Sequence, residues 1–205
     1  MNGTRAEHRA FLNRYYGVSR LFYDLTRKYY LFGRDATLRE LARDDRWQSL
    51  IEVGPGTGRN LRQLHKARPT ARLAGIEASD VMLAHARARC PWALLEHGFA
   101  EDARLRELLD APPDRILFSY CLSMVEDRRA ALTNARRALG DRGEVVVVDF
   151  GDLAGIPAPL ADVFRNYLRA FHVVPLDGAS LQEARSVRWG PGRYSVFARF
   201  APLAS

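Results

Sequence analysis

The 205-residue sequence has only two cysteines, Cys90 and Cys121, far apart and in no C-x-x-C or Cys/His cluster. That excludes a zinc-finger or thioredoxin-like reading, and no metal site is expected. No run approaches the ~20 apolar residues that cross a bilayer, and the opening MNGTRAEHRA is too polar for a secretory signal. A cytoplasmic protein with reduced, buried thiols is the expectation. The sequence also lacks internal repeats, low-complexity tracts and any linker that would set off a second domain. With 47% hydrophobic residues, the length suits one core of the usual ~100–200 residues. We read a single domain over 1–205, with a helical N-terminal part at 1–46 and a core at 47–205. Oligomeric state leaves no mark in the sequence.

Acidic residues are scarce at the N-terminus. The net charge is +7, and residues 1–34 hold Arg5, Arg9, Arg14, Arg20, Arg27, Lys28 and Arg34 against only Glu7 and Asp24. Phe11, Tyr15, Tyr16, Phe22, Tyr23, Tyr29, Tyr30 and Phe32 are interleaved with them. Cations and rings mixed along helices suit an anionic membrane surface, where rings sit at headgroup level and cations meet phosphate. Nucleic acid is the competing partner, and a solvated Arg-rich face with aromatics packed inward is the third reading.

Residues 5–46 read as helical, with breaks near Gly17 and Gly33. Beyond Trp47, strands alternate with helices. The strands are Ser49–Val53, Arg72–Glu77, Ala93–Glu96, Arg115–Tyr120 and Glu144–Phe150. The helices are Asn60–Ala67, Asp80–Arg89, Glu101–Asp110, Arg128–Leu139 and Pro159–Phe171, with Ser79 as an N-cap and Gly140 as a stop. This pattern predicts an α/β doubly wound, mostly parallel sheet covered on both faces, and Val145–Val148 suits a strand buried on both sides. Ser186–Trp189 and Arg193–Phe200 flank Gly190-Pro191-Gly192, which predicts a C-terminal antiparallel hairpin.

Residues 49–60, SLIEVGPGTGRN, run from an apolar strand through an acid and three alternate glycines into a helix. Gly54, Gly56 and Gly58 let backbone approach a ligand, and the helix beginning near Asn60 aims its free amides at the same spot. Glu52 can accept hydrogen bonds from an ammonium group and would repel a pyrophosphate. The spacing is G-x-G-x-G, whereas the dinucleotide fingerprint is G-x-G-x-x-G. The next strand ends in Glu77, an acid able to bind both hydroxyls of a ribose.

This segment resembles motif I of the class I S-adenosylmethionine-dependent methyltransferases, whose fold is Rossmann-like. By that resemblance Glu52, Gly54, Gly56 and Gly58 line the methionine side of S-adenosyl-L-methionine and Glu77 takes the ribose. Thr57, Asn60 and Ala78 count with the same cofactor-binding set. Phe99-Ala100-Glu101-Asp102 falls where the adenine sits, with Glu101 or Asp102 as acceptor for its amine or as a helix N-terminal acid. Ser119 and Tyr120 end the fourth strand, where this class brings methyl group and acceptor together.

A second resemblance rests on Tyr23–Arg34, Gly58-Arg59-Asn60-Leu61, Leu122-Ser123-Met124, Val148-Asp149-Phe150-Gly151-Asp152 and Phe171-His172-Val173. Together they are similar to the bacterial diacylglyceryl-homoserine N-methyltransferases of betaine-lipid synthesis, which implies an amine-bearing lipid substrate and a peripheral position at the inner membrane surface. The amine must be neutral to attack, so His172, a carboxylate or a Tyr such as Tyr120 is a candidate to take its proton. The product is a fixed cation, for which Tyr23, Tyr29 and Tyr30 are candidate hosts, with core packing as the alternative. RNA, a small-molecule amine and a non-catalytic cofactor-binding module are the rival readings. The [DN]-P-P-[FYW] of DNA amino-methylating enzymes is missing at the end of the fourth strand, which reads Ser-Tyr-Cys-Leu.

Overall fold

A computed structural model describes residues 31–203. The alternation seen in the sequence builds β1 (Ser49–Val53), β2 (Arg72–Glu77), β3 (Leu94–His97), β4 (Arg115–Ser119), β5 (Glu144–Phe150), β6 (Ser186–Trp189) and β7 (Ser195–Phe200). The helices are α1 (Arg34–Arg43), α2 (Arg59–Ala67), α3 (Asp80–Arg89), α4 (Arg128–Ala138) and α5 (Ala158–Arg169). The strands form one sheet in the order β3-β2-β1-β4-β5-β7-β6. The first five are parallel, and β7 runs antiparallel to both β5 and β6. The C-terminal hairpin is thus present, turning through Pro191–Arg193.

Because side chains alternate across a strand, the sheet has a core on each face. Ile51, Val53, Ile116, Phe118, Val145 and Val147 pack with α4 residues such as Leu132 and Ala135. Leu50, Leu117 and Val146 pack on the other face with Leu38, Leu41, Leu61, Leu64 and Leu83 from α1, α2 and α3. Residue 52 points the same way as residue 50, so the acid of β1 faces α2. Trp47 anchors the entry, fully buried, with its indole N–H donating to Leu41 O at 2.9 Å. The strand order reverses between β1 and β4, and that switch point opens a crevice at the carboxyl ends of those two strands.

Several expectations need correction. Residues 101–110 form successive turns, not a helix. Asn134 Nδ2 donates to Ala100 O and Ala103 O, both at 3.0 Å, taking carbonyls a helix would have needed, while Leu105, Leu108 and Leu109 are drawn into the core. The dipole role offered for Glu101 and Asp102 therefore lapses. β4 stops at Ser119 because Tyr120 adopts φ 54. β7 begins at Ser195 rather than 193, because Pro191–Arg193 is a helical turn. β3 is shifted by one residue. Cys90 is buried, but Cys121 is only partly so; both are free thiols. Helix α1 starts directly after Gly33, the break read from the sequence, and ends at Arg43. The helix read across residues 5–30, its break at Gly17 and Tyr23, Tyr29 and Tyr30 lie outside the described residues. No helix among the described residues is long and apolar enough to cross a membrane.

Candidate active site

The loop between β1 and α2 is shaped by its glycines. Gly54, Gly56 and Gly58 all take left-handed backbone, with φ of 68, 56 and 77. At Gly54 a Cβ would lie 2.5 Å from Cys121 Sγ, because the end of β1 and the segment after β4 meet there. At Gly56 a Cβ would meet nothing within 4 Å, so the backbone there borders open space. Gly54 N donates to Ile76 O at 2.8 Å, tying the loop to β2.

The two strand-end acids lie beside this loop. Glu77 Oε2 accepts from Gly56 N at 2.9 Å and Oε1 from Ser79 N at 3.0 Å, so its carboxylate is aimed by the loop and by the cap of α3. Ser79 caps α3, as expected, accepting from Met82 N. Glu52 is 1% exposed. Its Oε1 accepts from Asn60 Nδ2 at 2.7 Å, and its Oε2 is buried with no hydrogen-bond partner among the described residues. Burial pushes the Glu52 carboxyl up to about 8; the Asn60 bond and the charge of Arg34 pull it down, and Glu77 pushes it further up. An unpaired carboxyl oxygen in such a place costs about 1–3 kcal/mol. A cationic donor would remove that cost. Asn60 Oδ1 and Ser119 Oγ are likewise buried and unpartnered.

The remaining sequence candidates fall around this centre. Thr57 Oγ1 accepts from Arg89 Nη1 at 2.9 Å, bracing the loop against α3. Ala78 O lies 3.1 Å from His97 Nε2, at the turn after β2. Glu101 Oε1 accepts from Asp127 N at 3.4 Å, and Asp102 sits on the neighbouring turn. Tyr120 is buried, and its hydroxyl donates to Phe32 O at 2.6 Å. His172 is exposed, just beyond α5, with φ 55.

Three features escaped the sequence reading. Arg34 is not a surface cation: it is 9% exposed and its charge reaches Glu52. Asp149 is fully buried, accepting from Ser123 N at 3.0 Å and Phe150 N at 2.8 Å, and so pins the turn after β4 to β5. Burial raises its carboxyl above the usual range while those bonds oppose the shift. The third is an aromatic cluster at the carboxyl ends of β4 and β5. Tyr120 meets Phe150 at 4.8 Å, Phe150 meets Tyr194 at 5.9 Å, and Tyr194 meets Phe164 at 5.1 Å and Phe32 at 5.3 Å. Its rings come from five separate segments, so no local pattern could assemble it. Phe32, Tyr120 and Phe150 each stood in a stretch singled out from the sequence, but nothing along the chain joins them.

Residues 51–145, from β1 to the start of β5, match the family model described as a methyltransferase domain. The strand order and the glycine loop define a Rossmann-like fold, and this stretch of it is similar to a methyltransferase domain. The crevice suits S-adenosyl-L-methionine: an unpaired buried carboxyl for an ammonium, bare backbone at Gly56 and an aimed carboxylate at Glu77 for hydroxyls. A dTDP-3-amino-3,4,6-trideoxy-alpha-D-glucopyranose N,N-dimethyltransferase of Streptomyces venezuelae is 35% identical over 99 residues, 48% of this chain and 41% of the relative. A demethylmenaquinone methyltransferase of Tropheryma whipplei is 32% identical over 134 residues, 62% of this chain and 50% of the relative. A solved S-adenosylmethionine-dependent methyltransferase from Thermotoga maritima superposes with a TM-score of 0.70 at 16% identity, covering 96% of this chain and all of that one. The chain spans about half the length, or less, of the two curated relatives named here.

The geometry makes a direct prediction at the loop. Gly56→Ala costs roughly 1–2 kcal/mol through its left-handed backbone, with no clash to add. The folded protein persists, melting a few degrees lower, at ~2–4 °C per kcal/mol. The added methyl stands in open space beside the Gly56 N–H that Glu77 receives, so with the cofactor seated on this loop calorimetry is expected to show its affinity down by about tenfold or more. Undiminished affinity would place the cofactor elsewhere.

Proposed function

We propose that the protein is a methyltransferase that moves methyl groups from S-adenosyl-L-methionine to the amine of a lipid headgroup, the homoserine amine of diacylglyceryl-homoserine, giving a trimethylated betaine. The observation that carries an amine acceptor is the aromatic cluster led by Tyr120 and Phe150 at the end of β4, beside the Glu52–Gly56–Glu77 crevice. An amine loses its donors as methyl groups accumulate and becomes a fixed cation, and aromatic faces attract cations without needing a hydrogen bond. The resemblance of its motifs to the lipid N-methyltransferases supports the lipid headgroup, and the amine-methylating relative supports nitrogen as the target.

Bound in the crevice, the cofactor supplies an electrophilic methyl group on a sulfonium. The residues of the chain contribute alignment, which for well-held partners is worth ~7–11 kcal/mol. Glu52 and Asn60 hold the amino-acid end, and Glu77, with Ala78 and Ser79 behind it, holds the ribose. Glu101 and Asp102 border the adenine. Tyr120, its hydroxyl committed to Phe32 O, presents its ring rather than a proton acceptor. We assign the amine proton to His172, and a share in hosting the cation to Tyr23, Tyr29 and Tyr30.

The test supplies labelled cofactor together with diacylglyceryl-homoserine, an RNA mixture or a nucleotide-linked amino sugar. Label in the lipid phase, with stepwise gain of one, two and three methyl groups by mass spectrometry, is the expected result. Label only in RNA or the amino sugar overturns the lipid acceptor and leaves methyl transfer standing. Cofactor binding without transfer to any acceptor would point to a binding module instead.

A further inference from the structure

One side of α4 borders a cavity of about 300 Å³ that is lined by none of the residues placed in the crevice. At about 100° per residue, Ala131, Ala135 and Ala138 turn into the core and Asn134 flanks them on one side. Arg129, Leu132, Thr133 and Arg136 fall on the other side, and they form one wall of the cavity. The turn at 179–183, which leads into β6, forms the opposite wall, and the buried Leu132 and Phe200 lie at the bottom. Phe200 pairs with Val145 at the amino end of β5, so this floor lies at the end of the sheet away from the crevice.

The charge of the cavity is one-sided. Arg128, Arg129 and Arg136 line it against a single acid, Glu183. Arg136 is satisfied, with Nη1 donating to Glu183 and Nε to Ala201 O at 2.9 Å. The other two have donors to spare. Arg128 commits only Nη2, to Ser123 O at 3.4 Å and Val174 O at 2.7 Å, which leaves Nε and Nη1 without a partner among the described residues. Arg129 meets no acceptor and no acid among the described residues, and Thr133 Oγ1 makes no hydrogen bond there. The acids whose charges reach Arg128 are held by other donors: Asp149 by Ser123 N and Phe150 N, Asp177 by Ser180 N and Oγ. Like charges facing one concave space are costly until an anion joins them.

We propose that this cavity binds a small phosphate monoester, with the phosphoryl group on Arg128 and Arg129 and the organic body over Leu132 and Phe200. A carboxylate carries one charge and is matched by one guanidinium. A phosphate monoester carries about −1.5 to −2 near neutral pH and three acceptor oxygens, enough for both arginines and the Thr133 hydroxyl. The volume is at the lower end of the ~300–1,000 Å³ of small-molecule pockets, which suits a compact molecule rather than a polymer strand. The site is separate from the crevice and independent of the acceptor methylated there.

The experiment is calorimetric titration of the full chain near neutral pH with phenyl phosphate, inorganic phosphate and benzoate. Phenyl phosphate binds saturably at one site and more weakly as salt rises. Inorganic phosphate, which lacks the apolar body, and benzoate, which lacks the second charge, each bind roughly tenfold more weakly. Arg129→Gln lowers the affinity for phenyl phosphate by about tenfold or more. Glu183→Gln removes the one acid of the lining and tightens binding by roughly threefold or more, a gain that a damaged fold would not produce. Arg137→Gln, on an exposed position of the same helix outside the cavity, leaves the affinity unchanged. Five results would each overturn the proposal: no saturable binding of phenyl phosphate, full affinity in Arg129→Gln, an equal loss in Arg137→Gln, no gain in Glu183→Gln, or inorganic phosphate or benzoate binding as tightly as phenyl phosphate.

Discussion

Glu77→Ala is expected to cut affinity for S-adenosylmethionine by roughly 100-fold or more, the largest effect of any single change in the crevice. Two ribose hydroxyls donating to one carboxylate are worth about 1.5–3 kcal/mol each, and about 1.4 kcal/mol is tenfold in affinity. Glu77 also receives Gly56 N and Ser79 N, so part of any loss would come from a loosened loop. A comparison of ligands separates the two. In the unaltered protein, a cofactor product analogue lacking one ribose hydroxyl should bind ten- to a hundredfold more weakly than the complete one. In Glu77→Ala the two should bind alike, since the partner of that hydroxyl is gone. A penalty that persists in the variant would show that the ribose is held elsewhere.

The second large effect is a pH dependence centred on Glu52. An unfolded glutamate titrates near ~4.3, whereas burial lifts this one to about 8 in the folded protein. Between those values the unfolded chain has released a proton that the native chain keeps, so the native state binds more protons and stability falls as pH rises. Above pH 8 the native carboxyl ionises too and the loss levels off. Each pH step of one across that window is worth about 1.36 kcal/mol, so the cofactor-free protein is expected to lose several kcal/mol between pH 5 and 8. Glu52→Gln keeps the shape, removes the titration and should flatten the slope, as read by denaturant melts across that range.

Cofactor binding should respond in the opposite sense. An ammonium donor at the unpaired Oε2 favours the carboxylate, so binding near pH 6–7 should release a proton. Calorimetric enthalpies would then vary with the ionisation heat of the buffer, and Glu52→Gln would remove that component. The same substitution replaces a charged hydrogen bond by a neutral one, an expected loss of ten- to a hundredfold in affinity. A binding enthalpy independent of buffer in the unaltered protein would mean that Glu52 does not meet the amino group.

Much of this crevice was readable from local chemistry. Alternate glycines after an apolar strand can serve few purposes, and all three adopt the left-handed backbone that their type permits. Glu52 and Glu77 were readable because they lie at or one residue from the end of a strand, and strand ends in such sheets face the crevice. The errors were also local in origin. The Leu105–Leu109 spacing suggests a helix, but Asn134, 31 residues beyond Ala103, takes the carbonyls that would have closed its turns. Arg34 looked like one more surface cation, because nothing in its neighbourhood along the chain says that α1 will carry it against the acid of β1.

By itself, then, the sequence determined the alternating strands and helices and the glycine loop with its two acids. These depend on backbone preferences and side-chain periodicities that act over a few residues. Only the tertiary structure decided that Glu52 would be buried with an oxygen unpaired, that Arg34 would reach it, and that five segments would pool their aromatic rings. Those outcomes depend on which strands pair across the sheet, and pairing between distant segments is settled by packing of the whole chain rather than by any stretch of it.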